Sequence, residues 1–397
     1  MLAGSKQGTR YPFSFTGRGG EYFKIWIVNI LLSIITLYIY SAWAKVRTRR
    51  YFAGNTVLDN SSFDYHAKGM QILLGRIIAV VLFIAITIGG TISPFVSIGG
   101  FIFLALLLPW AMWRSIKFNM RMTSFRNVRF GFDGKLGPMY MYLLIMPLIP
   151  LLVAAAIAGI LYKTGFAVDS LIWIGAIGLI AAYLMYPWVH KRLANYLLRN
   201  YRYGTAKFSG ELSTGRFYAI YLKAIGLSLL IYFGITMIGI VLGYLFKSLG
   251  LFNLEMLEIF KNPEALGPSS IVMAYALILF FYLVLFLFGT LITSYFRSRL
   301  REHLFVNGLL DQRVDPESTV TMRGLWWVSL SNIFILIITL GLGYAWTKVR
   351  MARYLADNTA VYAEESLDNF VSAEQEKVGA LADELGEAFD MDMDVGF

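Results

Sequence analysis

Six long apolar runs alternate along the chain with short basic stretches, at roughly 72–90, 95–113, 140–162, 169–189, 219–246 and 271–296. About 20 apolar residues span a ~30 Å hydrocarbon layer as a helix, so each run predicts a transmembrane helix. Two further runs, about 24–44 and 325–347, are apolar but interrupted, the second by Gly341-Leu342-Gly343. Between the six spans and the chain ends, pairs of apolar residues one apart are followed by Gly: Phe13, Phe15, Gly17; Phe130, Phe132, Gly134; Ala206, Phe208, Gly210; Val320, Met322, Gly324; and, more loosely, Phe63, Tyr65, Gly69. Alternation of this kind predicts short strands, each ended by Gly where the chain turns toward the membrane.

A second pattern marks the helix exits, where an aromatic is followed by Arg at +4 and Asn at +12. The copies are Trp43, Arg47, Asn55; Trp188, Arg192, Asn200; Tyr295, Arg299, Asn307; and Trp346, Arg350, Asn358, with a degenerate fifth at Trp113 and Asn127. The first and last agree over a longer stretch, from Ser41 to Thr56 and from Tyr344 to Thr359. Self-similarity of this extent predicts an architecture built from repeated units. Trp43, Trp188, Tyr295 and Trp346 read as interfacial anchors, and the Arg one turn later reaches the phosphate level with its stem on apolar surface. Asn55, Asn127, Asn200, Asn307 and Asn358 read as helix caps, since Asn tolerates the left-handed conformation. A sharper reading makes Arg47, Arg192, Arg299 and Arg350 a site for an anion or an anionic lipid headgroup.

Charge sets the sidedness. Segments 44–71, 114–137, 190–217 and 297–324 carry net charges of +3, +5, +5 and +1, whereas 247–270 carries −1, so the first four are expected in the cytoplasm. If every repeat begins and ends on that face, the end segments are re-entrant, because only 26 residues separate Gly17 from Trp43 and 22 separate Gly324 from Trp346, against 54 from Gly134 to Trp188. A plain crossing is the competing reading, and it would leave basic residues at both ends on the wrong side.

Composition removes many functions. Of 397 residues 57% are apolar or aromatic and 15% charged, so the chain is an integral membrane protein rather than a soluble domain. With no Cys and only His66, His190 and His303 there is no thiol chemistry and no metal-ligand set. No His-Glu-x-x-His, Walker loop or Gly-x-Ser-x-Gly occurs, and no Asp or Glu lies inside a predicted span; Arg76 and Lys223, near the helix ends, read as snorkelling. The overall +10 conceals a tail, 355–397, of net −11, in which Leu367, Phe370, Val371, Val378, Leu381, Leu385 and Phe389 share a helical face. That tail is expected as an acidic amphipathic helix or a disordered end, able to dock on the basic segments or on a partner.

The run Phe-Ser-Phe-Thr-Gly from Phe13, with Glu21-Tyr22-Phe23, Val28-Asn29, the stretch Ile34 to Tyr40 and Trp43-Ala44, resembles the start of YjgN-like bacterial inner-membrane proteins. The similarity extends through Arg126-Asn127, Phe130 to Gly134 and the late copy Ile338 to Gly341; Tyr38 stands where that motif carries Gly. The resemblance implies location and fold but no activity, since the family's function is unknown, and it implies a membrane-associated metallopeptidase as a candidate partner by association alone.

The expectation is therefore an all-α integral membrane protein of repeated transmembrane hairpins with short cytoplasmic strands between them. Its divisions are an N-terminal strand segment 1–23, a membrane domain 24–354 and the tail 355–397. The expected role is a non-enzymatic inner-membrane scaffold or lipid-binding component acting with a partner, without cofactor, metal or nucleic acid; the alternative is a transporter or channel for a small anionic or amphipathic solute.

Overall fold

The computed structural model describes residues 8–248 and 268–394. Its centre corrects the all-α expectation, because ten strands close into an antiparallel barrel in the order β1-β10-β9-β8-β7-β6-β5-β4-β3-β2. They are β1 (Thr9–Phe15), β2 (Thr56–Leu58), β3 (Ser61–Tyr65), β4 (Thr123–Phe125), β5 (Val128–Phe132), β6 (Tyr201–Tyr203), β7 (Ala206–Ser209), β8 (Leu309–Leu310), β9 (Val314–Ser318) and β10 (Thr359–Ala363). Among the described residues no strand exceeds seven residues, and a ladder this short is marginal alone. Closure removes every edge and makes the set stable.

Each of five repeats is a strand, a helical excursion and a returning strand. The excursions are α1 (Gly19–Ile35) with α2 (Ser41–Gly54); α3 (Gly69–Ile92) with α4 (Pro94–Arg121); α5 (Leu136–Tyr140), a π-helical stretch Met141–Ile145 and α6 (Met146–Lys163) with α7 (Val168–Asn200); α8 (Thr214–Ser248) with α9 (Pro268–Asn307); and α10 (Met322–Ile338) with α11 (Tyr344–Asp357). Six helices in the middle three excursions are long and apolar enough to cross a membrane. The predicted 247–270 connection lies largely outside the described residues.

In the first and last excursions the chain reverses direction between its two helices. Leu37 and Tyr38 turn at φ +47° and +72°, Leu340 and Gly341 at +49° and +88°, and the Thr36 and Thr339 hydroxyls accept from the Tyr40 and Gly343 N–H groups at 2.9 and 2.8 Å. Tyr38 thus takes the backbone geometry that its counterpart takes with Gly, at the steric cost of a Cβ in the left-handed region. Both arms end in paired strands, β1 with β2 and β9 with β10.

Tight turns join the repeats at the opposite end of the barrel. Asp59-Asn60 and Arg126-Asn127 both have positive φ, the mirror-type turn whose twist suits a two-residue hairpin. Gly204 and the Asp311-Gln312 pair supply the other two turns. Asn127 is therefore a hairpin residue, a correction to its reading as a helix cap; α4 ends at Arg121 and is capped by Met122, whose carbonyl accepts the His66 N–H at 2.8 Å. The fifth strand signature is also displaced: β9 is Val314–Ser318, while Val320 lies past it and Met322 opens α10.

Inside, Leu58, Phe125, Val128, Tyr203, Ala206, Leu310, Val314 and Ala363 form the buried core, with Phe13, Phe63, Phe130 and Phe208 packed against it. The tail adds to that core. After β10, which falls within the stretch assigned to the tail, α12 (Leu367–Asp394) places Leu367, Phe370 and Val371 among these residues. The side chains of Leu381, Leu385 and Phe389 lie outside the described set.

The chain divides into two compact units, Met1–Phe217 with Glu302–Thr319 and Ile335–Phe397, and Tyr218–Arg301 with Val320–Phe334. The barrel and α12 belong wholly to the first.

Candidate functional site

The first unit concentrates its polar contacts where α12 meets the turns of the barrel. Leu367, Phe370, Val371 and Glu374 follow one helical face at i, i+3, i+4 and i+7, so one stripe carries both apolar and acidic contacts. Phe370 stacks on Tyr203 at 6.3 Å between ring centroids, and the Tyr203 hydroxyl donates to the Phe125 carbonyl at 3.0 Å. Glu374 is 1% exposed, and one carboxylate oxygen accepts from the Thr205 N–H at 2.7 Å, the Thr205 hydroxyl at 2.8 Å and the Ala206 N–H at 3.0 Å. Lys377 donates to the other oxygen at 2.8 Å. A buried carboxylate is tolerated only with such full satisfaction.

Arg126, at the neighbouring turn, ties three elements together. Its guanidinium donates to the Asp59 carbonyl and carboxylate at 2.8 Å each, to the Ser61 hydroxyl at 2.8 Å and to the Asp368 carboxylate at 2.5 Å, while its carbonyl accepts from Gln375 at 2.7 Å. The charge complementarity between acidic tail and basic segments thus resolves into particular pairs.

Burial pushes the Glu374 carboxyl up, but the Lys377, Thr205 and Ala206 donors outweigh it and hold the group below its ordinary value. A lowered native value means that its stabilisation is complete above the unfolded Glu value of about 4.3 and is lost as pH falls through the native one. Hydrogen-exchange protection of residues 367–380, corrected for intrinsic rate, is expected to hold from about pH 7 to 5 and to fall at more acid pH. In Glu374→Gln that acid step is expected to vanish; an unchanged step would assign it to another group.

The residues singled out from sequence have distinct fates. Asn55 and Asn358 cap their helices without left-handed backbone, at φ −103° and −102°. Each donates its amide to the carbonyl four residues back, Tyr51 and Tyr354, at 2.8 Å, and each accepts a Thr hydroxyl, Thr16 and Thr319, at 3.2 Å. Asn200 and Asn307 make the same backward bond, to Tyr196 and His303 at 2.6 and 2.7 Å. Asn55 and Asn358 thus fasten a helix end to the residue that follows a barrel strand, Thr16 after β1 and Thr319 after β9.

Trp43 and Trp346 pack against neighbouring repeats. A Cβ on Gly69 would fall 2.5 Å from the Trp43 ring, and one on Gly19 would strike Trp346. The Trp of one repeat seats on the first helical turn of the next, and the last repeat closes on the first. Trp188 carries Arg192 over its ring at 5.2 Å, and Tyr295 is half-buried on α9.

Arg47, Arg192 and Arg299 are exposed and Arg350 half-buried, each on a different helix. Among the described residues Arg47 and Arg350 form no ion pair. His66 bonds the Ser124 hydroxyl at 2.7 Å and His303 accepts the Ser213 N–H at 3.1 Å. Arg76, read from sequence as snorkelling, donates to the Ser41 hydroxyl. Among the described residues no cluster of three His, Cys, Asp or Glu could hold a metal.

The second unit holds a groove of about 860 Å³ along α9 and α10. Leu279, Leu283, Phe286 and Leu325 line its apolar length, Thr290, Thr293, Ser294 and Ser329 supply hydroxyls, and Arg297 stands at one end. Trp326 donates to the Thr290 hydroxyl at 3.2 Å and braces the two helices.

Comparison with known proteins bears on all of this. The model of a family described as a bacterial protein of unknown function (DUF898) matches residues 10–388. A protein named inner membrane protein YjgN from Salmonella typhimurium is 28% identical over 380 residues, covering 94% of this chain and 93% of its own. Proteins of the same name from Escherichia coli O157:H7 and K12 are each 24% identical over 383 residues, covering 94% of both chains. No solved structure matches.

Proposed function

The chain belongs to the DUF898 family of bacterial membrane proteins of unknown function, and from that premise we propose that it is a non-enzymatic inner-membrane component that binds an anionic lipid and acts with a partner protein. The observation that carries this reading is the groove on α9 and α10. An apolar trough beside lipid-facing residues suits an acyl chain, and hydroxyls ending in an Arg suit the ester and phosphate that follow it. Leu279, Tyr282 and Phe286 are all more than half exposed, so a chain enters sideways from the bilayer. The basic segments that flank the spans favour a barrel in the cytoplasm, with Arg297 at the level of the inner-leaflet headgroups.

The test is native mass spectrometry of the protein released gently from its own membrane. Retained anionic phospholipid is expected to fall at least fivefold in Arg297→Gln and in Leu283→Trp, which fills the trough. Retention unchanged in both variants, but lost when Arg47, Arg192, Arg299 and Arg350 are all changed to Gln, would move the lipid to those arginines and overturn the groove.

A further inference from the structure

The seat that α12 occupies has the chemistry of a receptor for a helix. Its apolar floor, Tyr203, Leu310 and Val314 with their neighbours, takes side chains at i, i+3 and i+4. Its polar end is a pair of turn N–H groups and a hydroxyl converging on one carboxylate at i+7. Beside it Arg126 takes a second carboxylate at i+1 and, through its carbonyl, a side-chain amide at i+8. Such a set discriminates, because a helix lacking the i+7 carboxylate would leave two buried N–H groups without partners.

The tail is an occupant that can leave without breaking the barrel. It follows β10, so no strand pair is lost when it lifts, and residues 364–366 are its whole tether. The Thr205 and Ala206 N–H groups lie at the β6–β7 turn, which water reaches once α12 has lifted off it. Gly379, with no heavy atom within 4 Å of where its Cβ would be, weakens the helix just past the last latch.

We propose that the turn end of the barrel is a recognition site for an acidic amphipathic helix of a partner protein, and that α12 is its built-in competitor. A short tether gives α12 an effective concentration on the order of millimolar, so a partner helix of micromolar affinity gains access only when the cis helix is weakened or the partner is presented at high local concentration. This inference stands apart from the lipid reading, since no residue of the groove takes part in it.

The absence of Cys makes the test direct. A single Val371→Cys in the full chain, at a position 3% exposed, reports departure of α12 by maleimide labelling. Labelling is expected to speed up at least tenfold with added Glu374→Gln and to slow about fivefold with added Gly379→Ala. A synthetic peptide of residues 366–380 is expected to accelerate labelling of the V371C/E374Q chain saturably, whereas the same peptide with Phe370→Ala and Glu374→Ala does not. Rates indifferent to E374Q and G379A would make α12 a permanent part of the wall. Rates that respond to the variants but not to the peptide would make it a lid with no receptor beneath. Both outcomes overturn the proposal. Hydrogen exchange of residues 367–380 in the unsubstituted protein, with and without peptide, gives the same reading if V371C perturbs the core.

Discussion

Gly210→Ala is expected to destabilise the barrel by about 3 kcal/mol, seen as an early unfolding transition by tryptophan fluorescence in detergent. Gly210 has φ +142°, outside the range an L side chain adopts readily, and a Cβ there would collide with the Asn307 carbonyl. The collision is with backbone, which cannot rotate aside. Gly210 follows β7 directly, and Ser209 pairs with Leu309, two residues beyond Asn307, so the strand and the helix end approach as closely as their atoms allow. β8 has only two residues, and little pairing remains once that approach is forced apart. Gly54→Ala is the control: nothing lies within 4 Å, so a helix-propensity gain of up to about 1 kcal/mol is expected. Equal effects in the two variants would refute the close-approach argument.

Arg126→Ala is expected to cost about 3 kcal/mol, and Arg126→Lys to recover less than half of it. The side chain is 17% exposed, so solvent screens its pairs only in part. It holds the β2–β3 turn through Asp59, reaches α12 through Asp368 and packs over Phe125 with its guanidinium carbon 5.3 Å from the ring centroid. A planar fork makes these contacts at once, whereas an ammonium is one point charge. Loss is expected in two readouts, a lower thermal midpoint and faster exchange of the α12 amides. Faster exchange with no change in midpoint would show that Asp368 alone depends on Arg126 and that the turn does not.

Much of this architecture was legible in the residues. The six spans are visible because a run of about twenty apolar residues matches the thickness of a bilayer core and little else, and the repeat is visible because Trp, Arg and Asn recur in fixed register. The barrel was not, and the reason is physical: its closure depends on pairing Thr9 with Ala363, across almost the whole chain, by strands too short to declare themselves. β9 was hidden further by Asp315, Pro316 and Glu317, which break the apolar alternation and yet pair with β10. Asn127 misled through composition, since left-handed backbone serves a hairpin as well as a helix end. The groove lacks a local signal because its two walls are separated in sequence by a strand pair and a turn. The tail's charge hinted at docking; that the docking atoms are two turn amides was beyond any sequence pattern.

The pairing of the first strand with the last also orders events in time. During synthesis the ribbon from β1 to β9 waits with both margins bare, and no amount of early folding can complete it. Closure needs β10, and α12, which follows that strand in the chain, is made only after the residues that seal the seam. A chain cut short before Thr359 would keep its apolar helices but hold a ring that never shuts, with two unpaired strand margins open to aggregation and proteolysis. The ring is in effect a proof of completeness.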